Sequence, residues 1–203
     1  MILDCTLRDG GYYTHWEFDN DLVQEMVSVL SKSKVDYIEL GYKSPLPGGR
    51  FRKCNDNFIS QLLKNVSYDS RLAFMIDAKD FIATLTNLEV GLALEKIGKS
   101  DVDMIYVADS LGSLHGKKLT RLFTTFRAVC DDWDKWLGFH PHNNLGLAFS
   151  NSYQAEEFGV DIVDGTITGM GRGAGNLRIE QYLMWKEKPT TDLLNLIQRK
   201  FEP

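Results

Sequence analysis

The sequence predicts an α/β fold of the TIM, or (β/α) barrel, type, and three observations predict it. Short apolar and β-branched runs recur along the chain, each followed by a stretch with helical apolar spacing, the pattern of repeated strand–helix units. The runs, such as Tyr37-Ile38-Glu39-Leu40 and Met104-Ile105-Tyr106-Val107, are mostly apolar without clean alternation, as parallel strands covered on both faces are. Distinctive polar clusters fall at the C-terminal ends of runs: Arg8-Asp9, Tyr42-Lys43, Asp77, Asn87, Asp109-Ser110, His140-Pro141-His142 and Thr168 onward. In such a barrel that rim carries the active site.

Taken in order, strands are expected over residues 2–7, 36–42, 71–77, 81–86, 104–109, 136–140 and 162–167. Helices are expected over 21–33, 57–66, 119–130, 150–158 and 180–185. One join breaks the rhythm. Only Ala78, Lys79 and Asp80 separate two strand-like runs, whereas a parallel crossover takes a dozen or more residues, so no helix fits there. The barrel is therefore expected to lack or omit about one βα unit near residues 78–81. Either the exposed strand edges of a shortened barrel meet a neighbouring subunit or solvent, or the natural protein holds a unit that this chain lacks. No repeat, low-complexity tract or linker divides the chain, so residues 1–203 are expected to form a single catalytic domain.

At 203 residues, 43% hydrophobic and 25% charged, the chain can bury a sizeable core. A net charge of −5 with dispersed Lys and Arg gives no basic patch for a phosphate backbone, which argues against nucleic acid. Cys5, Cys54 and Cys130 are odd in number and far apart, so neither a disulfide framework nor a cysteine zinc site is signalled, and they read as small packing residues. No run approaches the roughly 20 apolar residues that span a bilayer, and the N-terminus enters a strand-like segment without a leader. A cytoplasmic protein with no membrane partner is expected.

Three motifs carry chemistry. In His140-Pro141-His142, two imidazoles at i and i+2 of an extended chain point to one side and can share a metal, although such a pair also arises as two unrelated histidines. Asp4-Cys5-Thr6-Leu7-Arg8-Asp9-Gly10-Gly11 ends an apolar run in a guanidinium and a carboxylate. That pair is either a surface ion pair or a metal-binding carboxylate beside a cation that steadies a developing oxyanion. Gly169-Met170-Gly171-Arg172-Gly173-Ala174-Gly175-Asn176 is either a flexible turn or a loop that lets backbone approach a ligand, and it lacks the context of a dinucleotide fingerprint. Glu39, Lys43, Asp77 and Asn87 are further rim candidates. Tyr12, Tyr13 and His15 follow Asp9 closely enough to be proton-transfer candidates, while His115 reads as a solvated loop residue.

With Ala108-Asp109-Ser110-Leu111-Gly112 added, these motifs resemble the metal-dependent lyases and aldolases of the HMG-CoA-lyase-like group, and are most similar to the 4-hydroxy-2-oxovalerate-aldolase-like proteins. The resemblance spans nearly the whole chain. It implies Asp9, His140 and His142 as metal ligands, with Asn176 as a further ligand or supporting group. It also implies Arg8 as the catalytic residue that steadies an enolate, with Ser110, Gly171 and Gly173 beside the substrate. The mixed oxygen and nitrogen set favours Mn²⁺ or Mg²⁺. The activity implied is metal-dependent cleavage or formation of a carbon–carbon bond, with a small 2-oxo acid as substrate and a homo-oligomer or a partner dehydrogenase as company. Two departures matter. Tyr12 stands where some aldolases of the group place a base histidine, so the base is unassigned, and the glycine loop has no cysteine of the kind the CoA-lyase branch carries. A Claisen-type acyl-CoA condensing enzyme and a non-catalytic metal-binding relative acting as a regulatory subunit are the alternatives.

Overall fold

The computed structural model describes residues 1–42, 56–75, 98–99 and 103–201. Two compact units form, Met1–Asp77 with Asp164–Pro203, and Ala78–Val163. Every strand pairing among the described residues is parallel. The expected α/β class is what these residues build.

In the first unit, β1 (Ile2–Asp4) pairs with β2 (Tyr37–Tyr42), and β2 pairs with β3 (Arg71–Met75). Helix α3 (Asn20–Lys32) links β1 to β2. The Asp19 carboxylate caps its start by accepting from the Asp21 amide, satisfying a donor that the first turn leaves open. Val23, Met26, Val27 and Leu30 recur at helical spacing and are buried, each contributing on the order of 1.5–3 kcal/mol. Helix α4 (Asp56–Leu62) precedes β3. After Asp164 this unit continues through a 3₁₀ turn, Ile167–Gly169, and two further helices, α7 (Ile179–Trp185) and α8 (Thr191–Lys200). Leu193, Leu196 and Ile197 of α8 are buried, and Arg199 in its last turn pairs with Glu25 of α3.

The first strand is shorter than expected. It stops at Asp4, and Thr6–Asp9 forms a helical turn, α1, followed by α2 (Gly11–Thr14). The Asp4 carboxylate accepts from both the Thr6 amide, at 3.1 Å, and the Thr6 hydroxyl, at 2.8 Å, offering the backbone a turn in place of the ladder. Cys5 makes the last sheet-like bond, its amide donating to the Gly165 carbonyl. Arg8 and Asp9 therefore ride on a helical turn rather than a strand end.

In the second unit, β4 (Met104–Asp109) pairs with β5 (Trp136–Pro141) residue for residue, from Met104↔Trp136 to Asp109↔Pro141. Gly138 and Phe139 of β5 pair with Ile162 and Val163 of β6 (Ile162–Gly165). Helix α5 (Gly116–Asp132) joins β4 to β5, and α6 (Ala148–Glu157) joins β5 to β6. Phe123 of α5 meets Phe139 of β5 edge-on with ring centroids 4.9 Å apart, and Leu119, Leu137 and Ala155 are buried with them. The expected strand over 81–86, the short join at 78–81, and the candidates Lys43, Asp77 and Asn87 lie outside the described residues. No helix among the described residues is long and apolar enough to cross a membrane.

Candidate active site

Within the first unit, Arg8 is buried between two carboxylates. Its Nε donates to Glu39 Oε2 and its Nη1 to Asp9 Oδ1, each at 3.0 Å. Burial alone would weaken the guanidinium's hold on its proton. The surrounding charges, Glu39 foremost, more than reverse this, so its pKa lies well above the ordinary arginine value. Glu39 gains its place here: a rim candidate by sequence position, it is the partner that fixes Arg8. The Trp16 indole nitrogen donates to the Arg8 carbonyl at 2.9 Å and pins the turn from its far side.

Asn176 completes this cluster. Its Nδ2 donates to the second Asp9 oxygen and, at 3.3 Å, to the Met170 carbonyl. Its Oδ1 is buried with no hydrogen-bond partner among the described residues, an arrangement that normally costs a few kcal/mol. A neutral oxygen left open beside a carboxylate is a donor set suited to a hard divalent cation. Gly171 makes this packing possible, since a Cβ there would lie 2.5 Å from Asn176 Nδ2. Gly173, by contrast, is exposed.

Deeper in the same unit, Asp4 is fully buried, and burial pushes its pKa up to about 7 against the lowering effect of the Thr6 hydrogen bonds. The Cys5 thiol donates to the Gly165 carbonyl at 3.3 Å, and burial raises its pKa well above the thiol norm. Cys5 is thus a packing residue, as expected, and holds no thiolate for chemistry. Tyr12, Tyr13 and His15 are exposed on or just after α2, with His15 in the left-handed region at φ 52°.

Within the second unit, His140 and His142 at the end of β5 are both buried, with ring centroids 5.0 Å apart and planes nearly perpendicular. The loop after β4 braces them. Asp109 accepts from the Ser113 and Leu114 amides at 3.0 Å each, curling the loop back over its own strand. Asn144 donates to the Leu111 carbonyl at 2.9 Å, and Asn151 to the Leu114 carbonyl at 2.7 Å. Gly112, at φ +54°, lies so close that a Cβ would sit 2.7 Å from the Asn144 amide and 2.9 Å from the His142 carbonyl. Ser110 is exposed on that loop, and Asn143 caps α6 by accepting from the Ala148 amide. The structure thus brings Arg8, Asp9, Asn176 and Gly171 together in one unit, and His140 and His142 in the other.

Comparison with known proteins agrees in kind. The HMGL-like family matches residues 50–193. The chain is similar to an oxaloacetate decarboxylase of Mycobacterium tuberculosis, 27% identical over 230 residues, 89% of this chain and 68% of that protein. It is similar to a 4-hydroxy-2-oxovalerate aldolase of Carboxydothermus hydrogenoformans, 28% identical over 231 residues, 88% of this chain and 68% of that protein. Because an alignment 230 positions long takes in only 89% of 203 residues, the first relative carries internal positions with no counterpart in this chain. Among solved structures, the N-terminal domain of a suspected aldolase from Bacteroides vulgatus is 28% identical, with a TM-score of 0.77 over 97% of this chain and 84% of that one. The hydroxymethylglutaryl-CoA lyase of Pseudomonas aeruginosa shares the fold, with a TM-score of 0.64 at 14% identity over 98% of this chain and 90% of that one. These likenesses bear out the (β/α)-barrel type.

Proposed function

Because the chain belongs to the HMGL-like family, we propose that it is a divalent-metal-dependent aldolase acting on a 4-hydroxy-2-oxo acid through a pyruvate-like enolate. The broad class follows from the family, since the relatives are named as carbon–carbon lyases. Asp9, His140 and His142 would hold the ion, Mn²⁺ or Mg²⁺, with Asn176 as a further ligand. One observation carries the reading: the buried Asn176 Oδ1 is left open beside the Asp9 carboxylate, while the nearby Arg8 is already engaged by Glu39 and Asp9. When bound, such an ion acts as a Lewis acid on the keto oxygen of a 2-oxo acid.

The chain's own residues do the rest. Arg8, held on two carboxylates and unable to lose its proton, presents fixed positive charge to the oxygen on which charge develops as the carbon–carbon bond breaks. In the cleavage direction the substrate's hydroxyl proton leaves, an aldehyde departs, and the bonding electron pair moves into the enolate, which is then protonated on carbon to give pyruvate or its homologue. Ser110, Gly171 and Gly173 would line the substrate. Tyr12, Tyr13 and His15 are candidates to carry the proton. A second reading, decarboxylation of a 2-oxo dicarboxylic acid through the same enolate, is supported by the M. tuberculosis relative.

The test is a retro-aldol assay of the purified chain with Mn²⁺ against a panel of 4-hydroxy-2-oxo acids, with oxaloacetate alongside. Pyruvate release from a hydroxy-oxo acid is the expected result. Release from oxaloacetate alone would favour the decarboxylase, and silence across the panel with metal bound would leave a metal-binding relative without this chemistry.

A further inference from the structure

Arg172 sits in the glycine loop one residue past Gly171, the residue whose missing side chain admits Asn176. Its guanidinium carbon lies 4.9 Å from the centroid of the Tyr12 ring. Tyr12 in turn meets Trp16 with ring centroids 4.8 Å apart in an edge arrangement, and Trp16 donates to the Arg8 carbonyl. Tyr13 reaches the same loop, its hydroxyl donating to the Gly173 carbonyl at 3.5 Å. The guanidinium is therefore seated on an aromatic stack rooted in the backbone of the catalytic turn.

Like Arg71 and Arg121, and unlike three other described arginines, this cation has no acid partner among the described residues. Arg127 pairs with Asp161, Arg178 with Glu180, and Arg199 with Glu25. No carboxylate among the described residues pairs with Arg172, and both it and Tyr12 are exposed. Stacking occupies the face of a guanidinium and leaves its in-plane N–H donors free, in the fork geometry that fits a carboxylate or a phosphate. A loop that needed only a latch could use an apolar residue on the ring. A held and uncompensated arginine is suited to an anion that arrives from outside.

We infer that Arg172 recognises a second oxyanion, carboxylate or phosphate, at the end of the substrate remote from its 2-oxo acid group, with Tyr12 as the positioning residue. The inference rests on the aldolase reading above and narrows its substrate class to hydroxy-oxo acids whose aldehyde half is itself anionic.

The test runs the reaction in the bond-forming direction, with the Mn²⁺-loaded enzyme, pyruvate and four aldehydes. Acetaldehyde and propanal are neutral, succinic semialdehyde carries a carboxylate, and glyceraldehyde 3-phosphate carries a phosphate. The wild type is expected to favour one anionic acceptor over the neutral pair by about tenfold or more in kcat/KM, the size expected of hydrogen bonds to a charged group, and the preferred acceptor names the oxyanion. Arg172→Met should bring that ratio to about one, mainly through KM. Tyr12→Phe, which keeps the ring, should preserve the ratio, and Tyr12→Leu should lower it. A wild type indifferent to acceptor charge, or an Arg172→Met variant that keeps the preference, overturns the inference. Equal ratios in Tyr12→Leu and Tyr12→Phe overturn the positioning role. Condensation with none of the four aldehydes overturns the aldolase reading itself, a distinct result.

Discussion

Asp9 divides its two oxygens between a cation and an amide, Arg8 on one and Asn176 on the other, and under the proposed scheme that division separates metal binding from catalysis. Asp9→Asn or His140→Ala removes a ligand under the proposed scheme. Metal affinity by calorimetry should fall by more than the roughly 10- to 100-fold that loss of a supporting group costs. Arg8→Lys keeps a positive charge between Glu39 and Asp9 but loses the fork, so Mn²⁺ affinity should move only a few-fold while kcat drops on the order of 100-fold. An Arg8→Lys enzyme with wild-type kcat would remove Arg8 from the chemistry. Asp4 makes a separate prediction about stability. Its folded pKa of about 7 lies above the unfolded value near 3.8, so the native state keeps a proton that the unfolded chain has released. Stability from this group is fully present at low pH and is lost as pH rises from about 4 to about 7, on the order of 4 kcal/mol in all. Asp4→Asn cannot ionise, so its melting temperature should lose that decline with pH. An unchanged slope would mean that Asp4 ionises freely in the native fold.

At the scale of elements, the loop after β4 packs against the backbone beside the histidines. The β4 loop is tied down by Asp109, Asn144 and Asn151, and Gly112 lets it lie against the backbone of His142. Gly112→Ala adds a methyl where two backbone atoms stand 2.7 and 2.9 Å away, at a positive φ that disfavours any side chain. Metal affinity is expected to fall about 10- to 100-fold with the fold retained by circular dichroism, the effect of disturbing a ligand's support. Full affinity would show that the loop does not set His142. This element was legible in the sequence because β4 and β5 end in polar residues after apolar runs, and period two on a strand puts His140 and His142 on one face. The apolar spacing of α3 was legible for the same kind of reason. The turn at Thr6–Asp9 was not: the apolar run from Ile2 to Leu7 reads as strand, and the local bonds from Thr6 to Asp4 override it. Nor could one sequence show that Arg8 pairs with Glu39, or that Arg172 lies over Tyr12, because each pairing joins distant residues only after folding. Helix α8 carried a readable signal in Leu193, Leu196 and Ile197, yet it fell outside the expected helices.

For the whole molecule, the question is what protects the sheet edges. Among the described residues, β3 has a ladder partner only in β2, and β4 only in β5. In sequence, only Ala78, Lys79 and Asp80 separate the strand-like runs 71–77 and 81–86, too few for a parallel crossover if both runs are strands. The relative from Mycobacterium tuberculosis carries internal positions that this chain lacks. An unpaired edge with apolar flanks is a template for another chain, and a fold that persists with one must cover it. Association with a second copy is the simplest cover, because identical chains supply identical edges and close by twofold symmetry. Purified protein should therefore run in light scattering at twice 23.1 kDa or a higher multiple, and dilution to the monomer should lower its melting temperature. A monomer of 23.1 kDa whose cooperative unfolding is independent of concentration would show that the chain covers its own edges, and the interrupted barrel would have to be abandoned.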